Sequence, residues 1–93
     1  MELIYPTKTH KKEPMELPDK NGNSTGYHIL GIAKKDYDVY VCFANLLNMN
    51  LWIEKTHKLL LTDHVNMNIL NKIEDNKEFM MIYKFFLDSG ILK

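Results

Sequence analysis

Between Asn76 and Ser89 the apolar residues Phe79, Ile82, Tyr83, Phe86 and Leu87 recur at i, i+3, i+4, i+7 and i+8, the spacing of one buried helix face. Asp75-Asn76-Lys77-Glu78 reads as a capping box with Asp in first place, and Ser89-Gly90 supplies a stop. A helix is therefore expected over about 76–89, with Gly90 letting Ile91 fold back onto Phe86. Met81 and Phe85 lie four apart and off this stripe, with Lys84 between them. Either another segment packs over them or they form an exposed apolar patch of the kind that marks interaction sites.

Upstream the period changes from helical to two. Tyr27–Ala33 and Asp38–Ala44 are apolar runs separated by charged Lys34-Lys35-Asp36-Tyr37. Val39, Val41 and Phe43 alternate with Tyr40, Cys42 and Ala44, so both strand faces are apolar, and a hairpin over 27–44 is expected with a loop of about four residues. Residues 45–62 are ambiguous. A turn near 45–50, a third strand near 51–55 and a short apolar element at 58–61 are favoured. Asp63 is expected to cap a further helix over about 63–75 that buries Val65, Ile69, Leu70 and Ile73, although Asn66 interrupts that stripe. Residues 2–5 suit a short strand closed by Pro6. Residues 6–26 hold all three prolines and the turn-forming Asp19-Lys20-Asn21-Gly22-Asn23, and are expected to be a mobile arm or long loop.

The expected architecture is a single α+β domain over residues 1–93. A small antiparallel sheet is packed on one face by two C-terminal helices, with Phe79, Ile82, Tyr83, Phe86, Leu30, Ile32, Val41 and Phe43 in the core. A mostly α domain with 39–57 as one buried helix is the alternative.

Composition narrows the chemistry. All 12 cations are Lys, balanced by 12 acids, and nine residues are Asn, a usage that fits AT-rich coding. Without Arg, bidentate recognition of phosphates, carboxylates and guanine edges is absent. Residues 1–35 carry six Lys against four acids and residues 36–93 six against eight, a weak bias for a protein that would hold nucleic acid. Still, Lys34, Lys35, Tyr37 and Tyr40 on the hairpin, with the arm cations Lys8, Lys11 and Lys12, are the alternative reading, a surface tracking a single strand by stacking and charge. No apolar run approaches the roughly 20 residues of a membrane span, so no membrane partner is expected. The single cysteine, Cys42, reads as a buried structural thiol in a reducing, cytoplasmic setting.

Catalytic signatures are missing from the chain. Neither a Gly-x-Ser-x-Gly elbow nor a Gly-rich phosphate loop occurs, and no enzyme is expected. Glu54-x-x-His57, with His64 seven residues on, has ligand spacing, but one short motif arises easily by chance, and these side chains are better read as polar groups facing solvent. No metal or cofactor is expected, and His10 and His28 lack ligand spacing. By elimination, the expectation is a protein-binding module, an inhibitor or adaptor of bacteriophage or mobile-element type that blocks a host factor sterically. Its contact residues would be Met81, Phe85 and Lys84, with Lys8, Lys11 and Lys12 in the arm. Homo-oligomerisation through the same patch is the competing use.

Overall fold

A computed structural model describes residues 1–6, 15–48, 50–57 and 66–92. Six strands, β1 (Glu2–Tyr5), β2 (Met15–Glu16), β3 (Tyr27–Lys35), β4 (Asp38–Asn45), β5 (Leu51–Thr56) and β6 (Asn71–Lys72), form one sheet, followed by the helix α1 (Asn76–Asp88). All pairings are antiparallel. The order is β1-β3-β4-β5-β6, and β2 pairs with β3 on the edge that β1 also uses. Tyr5 lies opposite Ile32 and Met15 opposite Ile29, so β1 and β2 are two pieces of one interrupted edge strand.

The hairpin β3–β4 is tighter than its charge pattern suggests. Lys34 and Lys35 belong to β3, leaving only Asp36 and Tyr37 to turn the chain. Asp36 takes φ 54°, the positive value such short hairpin turns demand. A bulge between Ile29 and Gly31 puts Leu30 and Gly31 together opposite Cys42. The bulge has a packing reason. A Cβ on Gly31 would come within 3.0 Å of Ile91 Cγ2 and 3.1 Å of Phe86 Cε1, so the helix and the tail behind it seat directly on this backbone.

Two apolar layers sandwich the sheet. On one face Ala33, Tyr40, Cys42 and Ile53 meet Ile82 and Phe86 of α1, together with Ile73 and Leu92. On the other, Ile29, Ile32, Val39, Val41 and Phe43 are closed over by Leu17 and Leu70, with Met67 and Ile69 partly buried beside them. The doubly apolar alternation of β4 is thereby satisfied on both sides. Ile32, Val41 and Phe43, expected under the helix, belong instead to the far layer.

Among the described residues the expected pair of C-terminal helices is corrected to one, and a mostly α fold is equally excluded by the sheet. Residues 66–75 contain only a 3₁₀ turn, Met67–Ile69, followed by β6. The cause is local. Asn66 Oδ1 accepts from the Asn68 N–H, and Asn71 Nδ2 donates to the Ile69 carbonyl, so Asn side chains satisfy backbone groups that a helix would have paired. Met67 N–H instead donates to the Pro18 carbonyl at 2.9 Å. Ile69 and Leu70 thus face one layer and Ile73 the other. Asp63 and the element expected at 58–61 lie outside the described residues.

The described part of the expected arm is docked rather than free. Leu17 is fully buried, its N–H donates to Tyr27, and its carbonyl accepts the Thr25 hydroxyl. Asp19 Oδ1 gathers the N–H groups of Asn21 and Asn23 at 2.8 Å each, closing the turn. Residues 7–14, including Lys8, Lys11 and Lys12, lie outside the described residues.

At the chain's end, Gly90 (φ 79°) carries the paired bonds of a Schellman motif, Ile91 N–H to the Phe86 carbonyl and Gly90 N–H to that of Leu87. Leu87 is exposed, not buried as its place in the stripe suggests.

Candidate functional site

Helix α1 opens with Asp75 as its cap, Oδ1 accepting the Lys77 N–H at 3.0 Å. In a capping box, Glu78 would turn back to the cap. Here it reaches to the sheet. Tyr40 Oη donates to Glu78 Oε2 at 2.6 Å, and Lys55 Nζ donates to both carboxylate oxygens at 3.0 Å. The Tyr40 bond, and then that of Lys55, holds the Glu78 carboxyl below its usual range. Glu78 in turn raises Lys55, while burial first and Glu78 second raise Tyr40. All three groups are thereby pushed away from neutrality and kept in one protonation state. General acid–base chemistry needs the opposite, a group poised near the working pH. The arrangement is a clamp that pins the start of α1 to β4 and β5.

Beside the clamp, His57 Nδ1 lies 2.8 Å from Asp38 Oδ1, joining the ends of β4 and β5. Glu54 and His57 do not share a helix face. Glu54 sits within β5, where burial raises its carboxyl, and His57 lies just past the strand. His64 is outside the described residues. Among the described residues no three His, Cys, Asp or Glu side chains gather as metal ligands would.

The off-stripe pair behaves as a surface. Met81 is 39% exposed and Phe85 half-buried, and with Met1, Lys35, Lys84 and Asp88 they line a shallow depression of about 290 Å³. Lys35 Nζ approaches Met81 Sδ at 3.6 Å, so β3 and the helix share the rim. Phe85 also packs edge-on against Phe86, with ring centroids 5.9 Å apart, and is partly committed to the helix-side layer. Of the residues expected to act together, Met81, Phe85 and Lys84 are brought side by side.

The alternative nucleic-acid set is scattered. Tyr40 is 2% exposed and faces the helix. Lys34 and Lys35 are neighbours in a strand and point to opposite faces. Tyr37 is 87% exposed at the turn.

Cys42 is buried on the helix side, and desolvation pushes its thiol up to about 12. Thiolate is the reactive form. The native protein is expected to resist alkylation at about pH 8 and to react at the rate of an unhindered thiol once unfolded in guanidinium. Mass measurement after a timed pulse of iodoacetamide checks this.

One surface went unforeseen. In the β4–β5 connection Leu47 is 94% and Leu46 42% exposed, with Leu51 just behind at 39%. Its signal in the sequence is the stretch Val39–Ile53, which holds no charged side chain. No helix among the described residues is long and apolar enough to cross a membrane. No family model matches the chain, and comparison with curated proteins and with solved structures finds no match either.

Proposed function

We propose that this chain is a non-catalytic protein-binding module, an inhibitor or adaptor acting by steric occupancy, whose contact surface is the outer flank of α1. The observation that carries the reading is the Met81–Phe85 depression. It offers a soft apolar floor rimmed by Lys35 of β3 and by Lys84 and Asp88 of the helix. Methionine adapts to irregular partners, and the charged frame supplies orientation. The Tyr40–Glu78–Lys55 clamp fixes the helix behind this surface, so the surface is presented without an ordering cost at binding. A host factor is the proposed partner and the cytoplasm the proposed setting, in keeping with the lone buried thiol of Cys42.

Phe85 contributes to packing, so the test uses the exposed positions. Met81→Asp and Lys84→Glu, alone and combined, are expected to keep the parent's circular dichroism and melting temperature. They should lose the partner that the parent retains in affinity capture from its native host, read by quantitative mass spectrometry. Retention of the same partner by the double variant would sink the proposal.

A further inference from the structure

The β4–β5 tip lies at the opposite end of the sheet from the clamp, and what it is built to meet does not depend on the helix flank. We infer that this tip is a membrane-contacting element, inserting Leu46 and Leu47 shallowly into the interface of a zwitterionic lipid bilayer.

Four observations converge on that occupant. Leu47 is almost wholly exposed, on a connection that protrudes past the last backbone pair of the hairpin, where Asn45 N–H donates to Asn50 O at 3.0 Å. The backbone of the tip is supplied with partners of its own. Asn45 Oδ1 accepts the Leu47 N–H at 2.9 Å and Asn48 Oδ1 the Asn50 N–H at 3.0 Å. Together with the Asn45–Asn50 bond, three of the N–H groups of this connection are satisfied within it, which lowers the cost of bringing its backbone into the bilayer interface.

Behind the leucines stand amphipathic rings. Tyr27 and Trp52, both half-buried, meet edge to face with centroids 5.3 Å apart, one on each side of β4. Tyr and Trp favour the headgroup level of a bilayer, which is where a shallowly inserted tip would place them. Charge selects the lipid. No charged residue occurs from Val39 to Ile53, nor from Asn21 to Ala33, while Lys34 and Lys35 sit at the other end of the sheet. In the connection before β3, Lys20 is offset by Asp19, and Glu16 is exposed on β2. Among the described residues no excess of cations lies near the tip, so these residues give an anionic surface no advantage over a neutral one. The apolar run is far too short to span a bilayer, but a tip needs no run.

Phosphatidylcholine vesicles are the probe, and Trp52, the single tryptophan, is the reporter. The full chain is expected to sediment with these vesicles, with its emission shifted to the blue and no loss of binding between about 0.1 and 0.5 M salt. Leu47→Asp should lower the partition coefficient at least about tenfold, equivalent to 1.4 kcal/mol, with circular dichroism unchanged. Met81→Asp should partition like the parent, separating this surface from the helix flank. The inference is overturned if the parent stays in the supernatant, or if Leu47→Asp partitions as the parent does. Binding that requires phosphatidylserine and falls with salt overturns it too. So does a dimer in size-exclusion chromatography that Leu47→Asp makes monomeric, because the tip would then be covered by a second copy.

Discussion

Gly31→Ala is expected to destabilise the protein by about 1–3 kcal/mol, the usual range for forcing a methyl into a filled core. At about 4–8 °C per kcal/mol for a domain of this size, thermal unfolding should show it plainly. The new Cβ would sit 3.0 Å from Ile91 Cγ2, 3.1 Å from Phe86 Cε1 and 3.3 Å from Ile91 Cγ1. Phe86 is locked in the helix-side layer, so the strain falls on Ile91, whose place is set by the two bonds of the Schellman motif. Gly31 has an ordinary backbone conformation, which means the cost is one of space and not of φ. A double-mutant cycle separates the two. If space is the cause, Ile91→Ala recovers part of the loss in the Gly31→Ala background, and the two changes are non-additive. Additive losses would show that the close approach is not what the glycine serves.

Glu78→Gln is expected to cost about 2 kcal/mol, between the small worth of a surface pair and the larger penalty of breaking a buried one. The Lys55 and Glu78 side chains are 23% and 18% exposed, which places the clamp between those limits. The pH dependence follows from the direction of each shift. Glu78 is lowered in the fold, so its contribution is complete above the unfolded Glu value of about 4.3 and is lost as pH falls through the lower folded value. Lys55 is raised, so its contribution is complete below about 10.4 and is lost as pH rises through the higher folded value. The parent should therefore be most stable between these limits. Glu78→Gln should flatten the acid limb of a melting-temperature profile. An acid limb as steep as the parent's would assign that limb to other carboxylates.

The parts legible in the sequence were those where local signal and tertiary demand agree. In α1, cap, stripe and stop point to one answer, and the helix covers Asn76–Asp88. The strand alternation of 39–44 correctly announced two apolar faces, but not that different segments would cover them. The expectation of a helix over 63–75 failed at Asn66, the one residue that disagreed with its stripe, because short Asn side chains bond nearby backbone and favour turns. β2 and β6 were invisible for another reason. Two residues carry no period, and these strands exist only because β3 and β5 template them. Glu78 was seen as a cap because its spacing to Asp75 fits one. Its true partners, Tyr40 and Lys55, are 38 and 23 residues away, beyond the reach of any local pattern. Met81 and Phe85 stood out as a remainder that the stripe could not absorb. Leu46 and Leu47 did not stand out, because exposed leucines in a turn look in sequence like the start of a core element.

The break between β1 and β2 bears on how this molecule behaves among its own copies. Tyr5 and Met15 sit opposite Ile32 and Ile29, about 10 Å apart along β3 at the usual rise per residue. Two residues would bridge that gap, yet nine separate them in the chain. Joined directly, the pieces would give the sheet one long outer strand whose free amides and carbonyls invite another chain to add on, the first step towards fibrils. Divided, with an irregular register at Leu3–Tyr5 and a proline following Tyr5, that flank gives an incoming strand no continuous template. By that general rule an interrupted edge is a poorer template for strand addition, which matters for a protein whose net charge of zero provides no mutual repulsion.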